Sequence, residues 1–159
     1  MPTSVYFSFH YRRDSFRVQQ VLNMGVLAGQ PILASQDWEQ VKRQGRAAVI
    51  RWIDSQMKGK QAVVVLVRAQ TAARPWVSYE ISKAWQEHRP LVGINIHGLS
   101  NGIAADRPGP SPFVQFHIPF GRSLANYVPL YDPVGRTSGE VYADISRNLA
   151  GWVSTAVRL

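Results

Sequence analysis

Apolar and polar positions alternate with two distinct periods along this chain, and the change of period marks its elements. Ala62 to Val67 (AVVVLV) is an uninterrupted apolar run, four of its six residues β-branched. A strand with one wet face alternates apolar and polar residues; a run without alternation needs cover on both faces, as in the centre of a parallel sheet. Val5 to Phe9 (VYFSF) and Leu91 to Ile96 (LVGINI) read as further strands. Between them the spacing turns helical. Val18, Val21, Leu22 and Gly25 follow a cap at Asp14 or Ser15, and Asp37 with Gln40 resembles a capping box. The latter opens one helix with a stripe through Val41, Gly45, Ala48, Val49, Trp52 and Ile53, closed by Lys58 and Gly59. Ile32 to Ala34 reads as a short edge strand because Pro31 precedes it. Pro75 suits a first helical turn, since it has no N–H to donate, and Val77, Ile81, Ala84 and Trp85 form that helix's inner stripe.

The resulting order, β-α-β-α-β-α-β with short connections, predicts an α/β fold with a flavodoxin-like central parallel sheet flanked by helices on both faces. Past residue 97 the periodicity fades. Residues 98–112 and 121–137 read as long irregular loops, Phe113 to Phe120 as a last strand and Ser138 to Val157 as a closing helix. A chain of 159 residues fits one domain, 1–159, with a core that needs no staples. The absence of cysteine removes disulfides, thiolate metal sites and a cysteine nucleophile. Neither a signal peptide nor an apolar run long enough to span a membrane is visible, so the expectation is a cytoplasmic protein without membrane contact. The net charge of +8 admits nucleic acid or an anionic ligand. The Lys and Arg residues are scattered in ones and twos, which fits solvated faces better than a nucleic-acid footprint.

Motifs narrow the chemistry. The sequence has no P-loop, dinucleotide-binding glycine fingerprint, zincin motif, EF-hand loop or nucleophile elbow. His10, His88, His97 and His117 lack metal-ligand spacing, and no metal is expected. A phospho-receiver needs an acceptor Asp after the central strand, where this chain has Val67-Arg68-Ala69. The positive signal is Glu80, a carboxylate on the helix after the central strand, at the edge where open α/β sheets place ligands. Helical geometry puts it on the border between core and solvent. That position suits a half-desolvated carboxylate that still reaches a ligand, and equally a solvated glutamate paired with Lys83 or Lys60.

Val5-Tyr-Phe-Ser-Phe-His-Tyr-Arg-Arg-Asp14 resembles the opening of a TIR domain, and Trp76 with Glu80 in a W-x-x-x-E arrangement is similar to the TIR segment that holds the catalytic glutamate. FSFHY, Asp37-Trp38-Glu39, VVVLV, RPWVSYEISK and GINIH together resemble the TIR-like proteins of the Thoeris anti-phage system over residues 4–97. The resemblance implies cleavage of the nicotinamide–ribose bond of NAD⁺, with NAD⁺ as substrate rather than cofactor, Glu80 as the essential carboxylate, and a cyclic ADP-ribose product that signals to an effector protein. Phe7, Phe9, Tyr11, Trp38 and Trp76 are then candidate platforms for the rings, although each aromatic can equally be core. The resemblance also makes Ser8 at the end of the first strand, His10 in the loop after it, and Asp37, where the TIR loop after the second strand would lie, candidate substrate contacts, and Arg12 or Arg13 can take the pyrophosphate. TIR domains also act as adaptors that bind one another, so a homo-oligomer and a non-enzymatic interaction module are the alternatives.

Overall fold

In the computed structural model, residues 2–33, 35–102, 105–119 and 121–158 are described, with the side chains of residues 12, 13 and 35 outside the description. Among the described residues five strands form one sheet: β1 (Thr3–Ser8), β2 (Leu27–Ala28), β3 (Ala62–Val67), β4 (Leu91–Asn95) and β5 (Leu130–Tyr131). Every pairing is parallel, and the order is β2-β1-β3-β4-β5. The α/β flavodoxin-like sheet read from the sequence is therefore the observed one. All residues of β3 and β4 are buried, as unbroken apolar runs require. The helices are α1 (Tyr11–Asn23), α2 (Ser35–Arg43), α3 (Arg46–Met57), α4 (Pro75–Gln86) and α5 (Ser138–Ser154). Among the described residues no helix is long and apolar enough to cross a membrane.

Four expectations need correction. The first helix begins at Tyr11 with His10 at its N-cap, so Asp14 and Ser15 lie inside the helix and do not cap it. The helix read as continuous from Asp37 to Met57 breaks at Gly45, whose φ of +102° lies outside helical space. Its carbonyl instead accepts from the N–H groups of Ala48 and Val49 and so begins α3. Glycine adopts this conformation without the steric cost of a Cβ. The second strand is Leu27–Ala28, because α1 turns at Gly25 (φ +71°) straight back into the sheet. Ile32 and Leu33 carry no regular structure, and Ala34 lies outside the described residues. The edge of β1 beyond Ala28 is closed by a side chain instead: Gln30 accepts from Phe7 N–H at 2.8 Å and donates to Phe7 C=O at 2.7 Å.

The last strand is Leu130–Tyr131, which pairs with Gly93 and Ile94 of β4, and not the stretch from Phe113 to Phe120. Residues 112–115 form a turn, and Phe120 lies outside the description. Phe113 is fully buried with its ring against Gly93, where any Cβ would come within 2.7 Å of it. The stretch 121–137 thus holds β5 and a 3-10 turn at Leu124–Asn126, while 98–112 has no regular element among its described residues. That second segment is tethered electrostatically. Arg68, just past β3, pairs with Asp14 of α1 and with Asp106 of the loop.

Candidate active site

The site grows from the pleat of β1. Successive strand residues face opposite ways, so Tyr6 and Ser8 share one face while Phe7 takes the other. The Tyr6–Ser8 face meets α4, where Pro75 opens the helix and Glu80 falls on its second turn. The Tyr6 hydroxyl donates to Glu80 Oε2, and the Ser8 hydroxyl donates to Oε1 at 2.8 Å. Glu80 is only 6% exposed, more deeply buried than the helix-border reading predicts. The alternative of a solvated glutamate paired with lysine does not hold, since Lys83 pairs with Asp54 at 3.2 Å and with Glu87.

Among the described residues Glu80 forms no ion pair. Burial pushes its carboxyl up to about 8, and the Tyr6 and Ser8 hydrogen bonds oppose this only in part. Burial likewise pushes the Tyr6 phenol well above its ordinary range, with the Glu80 charge adding to it. A buried carboxyl whose desolvation is offset only by hydroxyl hydrogen bonds stays largely protonated at neutral pH and ionises when a cation arrives. Such a perturbed acid in a cleft is a functional-site candidate.

The cleft is there. A cavity of about 330 Å³, within the usual roughly 300–1,000 Å³ of small-molecule sites, opens above Glu80. The β1–α1 junction contributes Phe9, His10 and Tyr11, and α2 contributes Trp38 and Lys42. Arg74, Pro75, Trp76, Val77 and Glu80 line it from α4 and its entry. Phe9 stacks on Tyr11 with ring centroids 4.5 Å apart, and Tyr11 stacks on Trp38 at 4.8 Å. This ladder makes one rigid wall. Trp76 is half-buried, stands edge-on to Tyr79 at 5.6 Å, and carries the Arg46 guanidinium 5.2 Å from its ring centroid.

The structure therefore gathers Phe9, His10, Tyr11, Trp38, Trp76 and Glu80 around one cavity. It does not bring Phe7 there: the pleat turns Phe7 to the opposite face, where its ring packs so closely that a Cβ on Gly29 would lie 2.5 Å away. Ser8 is fully buried beneath Glu80 and supports the carboxyl instead of lining the cavity. Asp37 is exposed in the first turn of α2, off the cavity lining. Arg12 sits in the first turn of α1, and its side chain, like that of Arg13, lies outside the described residues. The sequence reading missed Tyr6, Lys42 and Arg74. Tyr6 was signalled by its i, i+2 relation to Ser8. Lys42, four residues beyond Trp38, shares a helix face with it.

A family model described as Thoeris protein ThsB, TIR-like domain, matches residues 6–101, a span that includes every residue lining the cavity. A protein of Bacillus cereus (strain MSX-D12) named "Putative cyclic ADP-D-ribose synthase ThsB1" is 31% identical over 119 residues, covering 71% of this chain. The matched region is 62% of that relative's own length.

Proposed function

The chain belongs to the Thoeris ThsB family of TIR-like domains, and we propose that it cleaves the nicotinamide–ribose bond of NAD⁺ with Glu80 as the essential carboxylate. The observation that carries the reading is a buried glutamate, held by two hydroxyls and in no ion pair among the described residues, beneath a cavity with aromatic walls. The name of the Bacillus cereus relative supports the same substrate class.

The chemistry suits a single carboxylate. Nicotinamide in NAD⁺ is already cationic, so it departs with the bonding electron pair as a neutral molecule and needs no general acid. The ribose is left as an oxocarbenium-like cation, which an ionised Glu80 stabilises through charge and through hydrogen bonds to the ribose hydroxyls. The positive ring of the bound substrate favours the carboxylate form that burial disfavours in the free protein. A nucleophile then bonds to the anomeric carbon. Water gives ADP-ribose and sheds a proton; an atom of the same molecule gives a cyclic ADP-ribose. A desolvated cavity favours the internal nucleophile, and we assign the cyclic product, a diffusible signal for an effector protein, to this chain. Residues 1–159 form one TIR-like domain in this reading, and a second copy can complete or order the site.

The test is nicotinamide release from NAD⁺ by purified wild type and Glu80→Gln, dilute and concentrated, with mass-resolved separation of the co-product. Release by wild type, its loss in a folded Glu80→Gln, and a co-product one water lighter than ADP-ribose are the expected results. Release that survives Glu80→Gln, or none from wild type at any concentration, overturns the assignment.

A further inference from the structure

The cavity is polarised. Its floor holds one acidic group, Glu80, whereas its lining also includes two cations, Lys42 from α2 and Arg74 at the entry to α4. Arg46 adds a third positive group over the Trp76 ring. Arg74 forms no ion pair among the described residues, and its Nε is buried without a hydrogen-bond partner. Lys42 pairs with Glu39 at 3.0 Å, but that pair is well exposed, at 36% and 42% for the two side chains. An exposed pair is weak and exchanges readily for a better anion. Glu39 and the exposed Asp37 both lie off the lining. The dominant unspent valence at the rim is thus for a phosphate-bearing ligand.

We propose that Arg74 and Lys42 form a phosphate-recognition rim that takes the pyrophosphate of the substrate and makes the site select a dinucleotide over the corresponding phosphate-free nucleoside. The inference rests on the NAD⁺ reading above and assigns its specificity-determining residues. Arg74 offers a planar fork of N–H donors matched to phosphoryl oxygens, and Lys42 a mobile point charge. A ligand with a cationic ring at one end and two phosphates beyond the ribose matches this polarity, its ring directed to Glu80 and its phosphates to the rim. Held in this way, the ribose between them is presented to the carboxylate.

The test compares two substrates that share the scissile bond, NAD⁺ and nicotinamide riboside, on the full chain. Arg74→Gln is expected to raise KM for NAD⁺ about tenfold while kcat moves less than about threefold. The wild-type preference for NAD⁺ over the riboside in kcat/KM should shrink about tenfold, and Lys42→Gln should shrink it about threefold. Lys58→Gln, exposed past the end of α3, serves as the surface-charge control and leaves both substrates unchanged. A second readout is calorimetric binding of ADP-ribose to Glu80→Gln, expected to weaken about tenfold on adding Arg74→Gln. Equal losses on both substrates, or no change on either, overturn the proposal. If Arg74→Gln fails to fold, Arg74→Lys replaces it, and an intermediate loss on NAD⁺ alone supports the rim. If wild type releases no nicotinamide, the glycosidic reading falls by itself, and the ADP-ribose titration still decides whether Arg74 binds phosphate.

Discussion

Asp14 and Glu80 are both carboxylic acids, both nearly inaccessible at 1% and 6% exposure, and both tied to the strands at the middle of the sheet. Their partners differ. Asp14 meets a full positive charge, Arg68, which also holds Asp106. Glu80 meets two hydroxyls. Burial raises both acids; at Asp14 it is opposed by hydrogen bonding to Arg68 and by the Arg68 charge, whereas at Glu80 only the hydroxyl hydrogen bonds oppose it and the carboxyl is carried up to about 8. An acid paired with a cation fastens α1 and the loop to the end of β3. An uncompensated one leaves an affinity for positive charge facing a cavity. The contrast separates architecture from chemistry without reference to any relative.

Arg68→Met breaks the comparison at its structural end. It strands Asp14 without its cation, and removing one partner of a buried pair costs about 3–5 kcal/mol. Denaturant unfolding of the variant measures this, and a loss below about 1 kcal/mol contradicts the structural role of the pair.

Glu80→Gln sharpens the other end through pH. The folded-state value near 8 stands above the ordinary 4.5, so between these values the folded protein retains a proton that the unfolded chain has lost. The Glu80 contribution to stability is then fully present below about 4.5 and disappears as pH rises through about 8. Glu80→Gln removes the dependence. Relative to wild type it should gain about 1–3 kcal/mol between pH 5 and pH 9 in parallel unfolding titrations. Parallel curves across that range contradict an uncompensated Glu80.

Tyr6→Phe removes one of the two hydroxyls. Because that hydrogen bond pulls the Glu80 value down, its loss moves the ionisation of Glu80 further up and lowers NAD⁺ turnover at neutral pH by about fivefold to tenfold. Turnover should recover as pH is raised, which distinguishes this effect from a packing defect. Ser8→Ala acts in the same direction with a smaller expected effect, about threefold, because the second bond is the weaker of the two influences.

The legible part of this fold is the part that repeats. Ala62 to Val67 is an unbroken apolar run, and α4 carries its stripe at helical spacing, so β3, α4 and the sheet class follow from period alone. β5 has two residues beside Pro129, too few for any period to show. Phe113 to Phe120 is rich in strand-forming residues, yet Phe113 serves as a plug over Gly93. The break at Gly45 was hidden because the stripe runs through it in register, and only its φ reveals the turn.

The site shows the same division. Glu80 is legible from its place after the central strand, whereas Phe9, Tyr11, Trp38 and Trp76 become candidates only through the resemblance to TIR domains. Phe7 was miscast because a one-residue step in a strand reverses the face. Applied to β1, the same alternation pairs Tyr6 with Ser8. Lys42 and Arg74 have long side chains whose direction depends on where α2 and the entry to α4 come to rest, and spacing along the chain does not contain that.

The measurement that bears most directly on the account is the pH dependence of kcat/KM for NAD⁺ cleavage by wild type, corrected for uncatalysed loss. Since kcat/KM reports ionisation in the free enzyme, an uncompensated Glu80 predicts a rise from about pH 6 to about pH 9, with its midpoint near 8 and displaced upward in Tyr6→Phe. A profile already flat from about pH 6 upward, as expected of a carboxylate titrating in its ordinary range, contradicts it.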